Sequence, residues 1–319
     1  MRDFTVDDYA PLLEVYNANY PDYTRTIDSW RIREENIDKT KYLLKRYVYQ
    51  NTHGTILGFG EIAHSLEAFH PQKFWLYIYV DPNYQNQGIG SYIYNSLIEE
   101  LRLLDAILVS SAAKEDLPKH VAFLEKRGFE EVLRAWESRL DLNTFDGAPF
   151  KQYTEKVAKD GVVIITLAEE RSNKNPNFMK QLHDLVQHVS SDMPQSQPFT
   201  PVPYEQWEAL EMKNPDLIPE AYMIAKDKDE LVGLSVLWSG KPEPNSLYQG
   251  NTGVRRDYRG RGIAFAMKLR VIEYAKNHGY VKLKTWNASN NAAMLNINVK
   301  LGFKRQVGWI TFEKILSSD

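Results

Sequence analysis

The chain repeats itself at long range. Residues from Val80, VDPNYQNQGIGSYIYNSLIEEL, align without a gap on those from Val254, VRRDYRGRGIAFAMKLRVIEYA, at an offset of 174. The same offset carries Gly128-Phe129 of LEKRGF onto Gly302-Phe303 of NVKLGF, so both copies keep the spacing from loop to Gly-Phe pair. Solenoid repeats recur every 20 to 50 residues or so, and a period this long means that a whole domain is duplicated. A chain of 319 residues also suits two domains on a prior of about 150 residues each. The turn-rich LDLNTFDGAPF, residues 140–150, breaks periodicity, so we expect an N-terminal domain over 1–145 and a C-terminal one over 146–319.

Within each copy the apolar phase points to the same local structure. Ile89, Ile93, Leu97 and Leu101 map onto Ile263, Met267, Val271 and Ala275, one buried stripe on a helix that directly follows a glycine loop. β-rich runs precede each loop, KFWLYIYV (Lys73–Val80) and SLYQGNTGV (Ser246–Val254), and further strand candidates follow each helix at Ala106–Ala112 and Tyr280–Trp286. Thr55–Ile62 resembles Glu230–Leu237, with glycines at Gly58 and Gly233. Each half opens with an amphipathic helix, through Tyr9, Leu12, Leu13 and Tyr16 in one and Phe178, Leu182, Leu185, Val186 and Val189 in the other. The fold class is mixed α/β, built twice.

Composition removes several chemistries. There is no cysteine, hence no disulfide framework, no Cys-ligated metal and no acyl-cysteine intermediate. The seven histidines never show HxxxH spacing, and we expect no metal site. A net charge of −3 offers no global field for nucleic acid or anionic membrane, so neither is an expected partner. The N-terminal MRDFTVDDYA lacks a leader pattern and no run of 18 apolar residues occurs, which suggests a cytoplasmic protein, monomer or homodimer.

The glycine loops carry the chemistry. Arg259-Gly260-Arg261-Gly262-Ile263-Ala264 joins a strand end to a helix start, where glycines permit left-handed turns and the first helical amides have no internal partners. Together with the helix dipole this suits phosphate oxygens; the alternative is a tight strand-to-helix turn and nothing more. Six cations against Asp257 make residues 255–270 net +5, a patch in an acidic chain. The loop is neither a dinucleotide fingerprint, since Ile93 and Met267 stand where a third small residue belongs, nor a P-loop, since Gly-Lys-Ser/Thr is absent.

Gln/Arg-x-x-Gly-x-Gly/Ala after a strand, then a long helix, a strand, an Asn-containing helix and Leu-Gly-Phe, resembles the GNAT superfamily of acyl-CoA-dependent N-acyltransferases. TGVRRDYRGRGIA and KTWNASNNAAMLNINVKLGF match densely; DDYAPLLEVYNANYPDY, VDPNYQNQGIG and FLEKRGF match in the first half. The resemblance implies two tandem acyl-CoA N-acyltransferase domains, using acetyl-CoA to acetylate a primary amine on a small-molecule substrate. It implies that amides of Arg259, Gly260, Arg261, Gly262, Ile263 and Ala264 hold the pyrophosphate, that pantetheine runs along Thr252–Val254, and that Asn291 or Asn287 contacts its arm. Helix capping is the alternative for both asparagines. In the first half Val80, Gln85, Gly88 and Gly90 occupy the corresponding positions, but Asn86, Gln87, Ala113 and Leu117 replace Gly260, Arg261, Asn287 and Asn291, so cofactor binding is expected to be weaker.

An amine acceptor must shed a proton, the oxyanion needs a donor, and the leaving thiolate needs a proton or positive surroundings. The resemblance implies an oxyanion donor near Val254 and a tyrosine acid four residues before the Gly of Leu-Gly-Phe. Asn298 stands there, and an amide is no acid at neutral pH. The catalytic candidates are therefore Asn298 by position and Tyr248 as a substitute acid, with Tyr248 or Asp192 as base. Residues 17–30 and 191–207, rich in aromatics and proline, are expected to shape the acceptor sites, or else to be loops pinned by their rings. The competing reading of the whole chain is a non-catalytic acyl-CoA-binding protein or scaffold.

Overall fold

A computed structural model describes residues 1–172, 175–240 and 243–316. By packing, the chain divides into two compact units, Met1–Leu133 with Ser196–Thr200 and Trp309–Asp319, and Arg134–Gln195 with Pro201–Gly308. Each unit thus takes a strand from sequence that lies beyond its own repeat, and the turn-rich segment 140–150 falls inside the second unit.

In the first unit, β1 (Arg2–Asp3), α1 (Tyr9–Asn19), α2 (Ile27–Asn36), β2 (Leu44–Gln50), β3 (Ile56–Ala63), β4 (Lys73–Val80), α3 (Ile89–Leu103), β5 (Leu108–Lys114) and α4 (Pro118–Glu125) follow in order. The strands β1 to β4 form an antiparallel meander, and β4 pairs β5 in parallel from Lys73 opposite Leu108 to Trp75 opposite Ser110. Residues 309–315 close the sheet antiparallel to β5. The α3 stripe anticipated from Ile93, Leu97 and Leu101 is fully buried in this core.

In the second unit the elements are residues 134–141 of β6 (Glu130–Asp141), α5 (Lys151–Lys159), β7 (Val162–Thr166), α6 (Leu167–Ser172), α7 (Phe178–Ser191), α8 (Tyr204–Trp207), β8 (Leu217–Asp227), β9 (Glu230–Ser239), β10 (Ser246–Val254), α9 (Ile263–Asn277), β11 (Lys282–Ala288) and α10 (Ala292–Lys300). The last strand of the chain, β12 (Lys304–Ile315), contributes its residues 309–315 to the first unit. β7 to β10 pair antiparallel, β10 pairs β11 in parallel, and β6 closes this sheet against β11. The strands read from sequence at Lys73–Val80 and Ser246–Val254 have those bounds in the fold.

The core of the second unit contains an ill-suited side chain, Lys268 on α9, at 1% exposure. Burial pushes its ammonium from 10.5 down to about 7. The unfolded chain therefore holds a proton that the folded one releases between about 7 and 10.5, and stability climbs with pH across that window, by about 1.4 kcal/mol per pH unit at most. Below the window both states are charged and the full penalty of a few kcal/mol applies. Lys268→Met is accordingly expected to melt higher than the parent at pH 6 and to lose the rise toward pH 10 in calorimetry; a lower melting temperature at both pH values would contradict this.

Candidate active site

The two strand–loop–helix joints share one backbone shape. Gly262, at φ +87°, caps α9, and Gly88, at φ +85°, caps α3. Two residues earlier Gly260 has φ +76° and Asn86 +62°, both left-handed, a conformation that asparagine tolerates better than most side chains. A Cβ placed on Gly260 would meet nothing within 4 Å, so the backbone there is open to an approaching group. The first-turn amides of each helix have no acceptor within the helix itself. The side chain at the head of each loop also has the same job. Arg259 donates from Nε to the Val254 carbonyl at 3.1 Å, and Gln85 donates from Nε2 to the Val80 carbonyl at 3.2 Å and to Asn19 Oδ1 at 3.0 Å.

The charge expected on the second loop is mostly spent elsewhere. Arg256 and Arg259 both pair with Asp192 at the end of α7, Arg255 lies 3.6 Å from Glu230, and Lys268 points into the core. Arg261 remains beside the loop, donating to the Asp160 carbonyl at 3.3 Å and lying over the Tyr258 ring, while Arg270 is exposed. The net +5 of the sequence is thus not a phosphate patch of that size. Asp192 is corrected as well. Hydrogen bonds from Arg256 and Arg259 hold its carboxyl below the usual range, which leaves it no capacity as a base near neutrality.

Above the loop the strands differ. β10 pairs β9 with Gln249 opposite Leu237 but Thr252 opposite Ser235, so β10 carries one extra residue, a bulge at Gly250-Asn251. The parallel ladder of β10 with β11 runs from Ser246 to Gln249, and the bulge begins where that ladder ends. β4 in the first unit pairs β3 in unbroken register from Trp75 to Val80. On the sheet face under α7, Gly253 is obligatory, because a Cβ there would lie 2.3 Å from Val189. The same position in the first unit is Tyr79, which continues a stacked row of Trp75, Tyr77 and Tyr79. Rings fill in one unit what Asn251 and Gly253 leave slim in the other.

The remaining candidates are placed as follows. The Thr252 hydroxyl turns inward, 2.9 Å from Ser235 Oγ, and Val254 is buried. Asn291 caps α10, its Oδ1 accepting from the Met294 amide at 3.2 Å, the alternative weighed above. Asn287 Oδ1 accepts from Asn298 Nδ2 at 2.6 Å. Asn298 is buried, and its own Oδ1 is an acceptor with no partner among the described residues. In the first unit a Cβ on Gly90 would pack 3.4 Å from Phe123.

Tyr248 stacks on Trp286, with ring centroids 5.6 Å apart, and Lys284 lies over its ring. Burial, the nearby negative charges of Glu243 and Glu137, and the hydrogen bond that the phenol gives to Glu243 push it up to about 12. It keeps its proton at neutral pH, so it can donate but cannot serve as base. Sequence reading missed these neighbours. Glu137 comes from β6, opposite Trp286, and no local pattern announces that a strand from the first repeat enters the second sheet.

The model of the Acetyltransferase (GNAT) family matches residues 9–129 and 182–303. No curated protein matches the chain in sequence. Among solved structures, it is similar to a tandem GNAT protein from the clavulanic acid biosynthesis pathway, at 18% identity and TM-score 0.75 over 100% of this chain and 99% of that one. It is also similar to a GCN5-related N-acetyltransferase from Sphaerobacter thermophilus, at 16% identity and TM-score 0.71, covering 98% and 94% of the two chains. The matches span both copies of the repeat, and the protein belongs to the GNAT acetyltransferase family as a two-domain member.

Proposed function

We propose that the second unit is an acetyl-CoA-dependent N-acetyltransferase that modifies a primary amine of a small molecule. The observation that carries this reading is the bulge in β10, which β4 of the first unit lacks although both glycine loops are open. One feature fits the cofactor, the unfilled space over Gly260, which suits phosphate against amides. Amides of Arg259 through Ala264 would hold the pyrophosphate, and the β10 edge at Thr252–Val254 the arm. Bound there, acetyl-CoA supplies an activated acetyl group. Backbone amides at the bulge would meet the carbonyl oxygen, and the Tyr248 phenol, turned away from Glu243, would donate a hydrogen bond to the departing sulfur. Without cysteine the transfer is direct: the free amine would bond to the acetyl carbon, the C–S bond would break to release the CoA thiolate, and the proton lost by the amine would pass through water to that thiolate or to bulk. Val80, Gln85, Gly88 and Gly90 keep the loop shape in the first unit and would bind the cofactor more weakly. A soluble monomer or homodimer of the cytoplasm completes the proposal.

The rival, an acyl-CoA-binding protein without turnover, is favoured by one observation, the asparagine at position 298. Thiol release from acetyl-CoA across a panel of primary amines separates the two: release with at least one amine supports transfer, and binding without release on any amine supports the rival.

Gly262→Asp sets a carboxylate against the phosphates and is expected to weaken acetyl-CoA binding about 100-fold or more by calorimetry, while Gly88→Asp leaves it within about threefold. The reverse pattern would move the site to the first unit. Tyr248→Phe is expected to lower kcat about 10- to 100-fold with KM for acetyl-CoA unchanged. An unaltered kcat would remove Tyr248 from the mechanism.

A further inference from the structure

Lys268 is engaged with the strand that bulges. Its Nζ donates to Gln249 Oε1 at 2.6 Å. Gln249, itself buried, spends both amide hydrogens, on Ser235 Oγ at 2.9 Å and on Thr252 Oγ1 at 3.0 Å, and those two hydroxyls are 2.9 Å apart. Gln249 and Thr252 are the residues on either side of the Gly250-Asn251 bulge. One side chain therefore clasps both flanks of the irregular segment, and the lysine below sets which way that clasp faces.

We propose that Lys268 is a positioning residue that, by orienting the Gln249 amide, fixes the β10 bulge in the form that aims the Gly250 and Asn251 backbone at the acyl group. The inference rests on the proposed reading of the second unit as the transferase site. The reason lies in donor counting. An ammonium has three hydrogens to give and no lone pair, so it commands Oε1 and turns Nε2 toward the hydroxyls. A neutral amine can accept, and the amide is then free to turn over, with Nε2 toward the lysine and Oε1 receiving both hydroxyl hydrogens. The two arrangements pull differently on Thr252 and hence on the bulge.

The surroundings leave the ionisation of Lys268 to burial alone. β8, β9, β10 and α5 pack against α9. β9 and β10 bring the hydroxyls and the amide already named, β8 brings Met223 and Ala225 to the core, α5 brings Val157 and Tyr153, and the Phe303 ring lies 5.1 Å from Nζ. Ionised groups on these elements act elsewhere: Glu220 on Tyr274, Lys226 with Glu170, Glu230 with Arg255, and the Tyr153 hydroxyl accepts from Lys300. The first unit is an internal comparison. Its residue at this position is Tyr94, whose hydroxyl accepts from Lys314 at 3.1 Å, and its strand has no bulge. The buried lysine and the bulge occur in the same unit.

The experiment uses the full chain and follows the backbone amide resonances of Gly250, Asn251 and Thr252 by NMR from pH 5.5 to 9, beside steady-state kinetics. In the parent these amides are expected to titrate together with a midpoint near pH 7. In Lys268→Met they stop titrating, and kcat falls about 10- to 100-fold while KM for acetyl-CoA stays within about twofold. Gln249→Met, which cuts the clasp and keeps the lysine, is expected to abolish the same titration, and it decides the matter if Lys268→Met does not fold. Bulge amides that ignore pH in the parent, or that still titrate in both variants, or a folded Lys268→Met with parental kcat, would overturn the proposal. If no amine is acetylated by any of the proteins, the transferase reading fails while the amide titration still decides whether Lys268 governs the bulge.

Discussion

Everything in each unit hangs on a left-handed turn between a strand and a helix. Gly88 and Gly262 adopt a backbone conformation that costs most side chains about 1 kcal/mol or more, and that turn points the first amides of α3 and α9 outward with no internal partner. An unpaired helix start facing open space demands an acceptor, and an anion is the acceptor the dipole favours. The apolar stripe that follows then presses the helix onto the sheet, so the turn cannot relax without unpacking Ile93 and Leu97 in one unit or Met267 and Val271 in the other.

Since the two turns are alike in dihedral angle, the difference between the units lies around them. Asn86 in place of Gly260 preserves the shape at little cost. What the first unit lacks is the break in the strand above: β4 keeps strict register and stacks Trp75, Tyr77 and Tyr79, where β10 bulges and thins to Asn251 and Gly253. The second unit also accepts the desolvation of Lys268 to hold that bulge. A protein that burdens its core in this way beside a functional strand trades stability for geometry, as active sites commonly do.

Much of this was legible in the sequence because it is local. Left-handed glycines, the helix stripes of residues 89–101 and 263–275, and strands such as Lys73–Val80 are patterns within a few turns of chain, and the repeat doubled each signal. The failures are long-range except at Lys268. Charge counting along residues 255–270 credited Arg256 and Arg259 to phosphate because Asp192, some sixty positions earlier, is invisible to it. Lys268 was counted as surface charge, although its phase on the helix placed it one residue from Met267 and within reach of the buried side. The passage of residues 309–315 into the first sheet and 134–141 into the second depends on pairing across the whole chain, which no local period encodes. Residues 191–207 divide similarly, since Gln197 binds Lys73 and Glu313 in the first unit.

The most direct test of the account is a crystal structure of the protein grown with acetyl-CoA. The account predicts density at the second unit, with pyrophosphate oxygens on the amides of Arg259 through Ala264, the arm along Thr252–Val254 and the acyl carbonyl at the Gly250-Asn251 bulge. Density at residues 85–90 of the first unit with the second loop empty would contradict it.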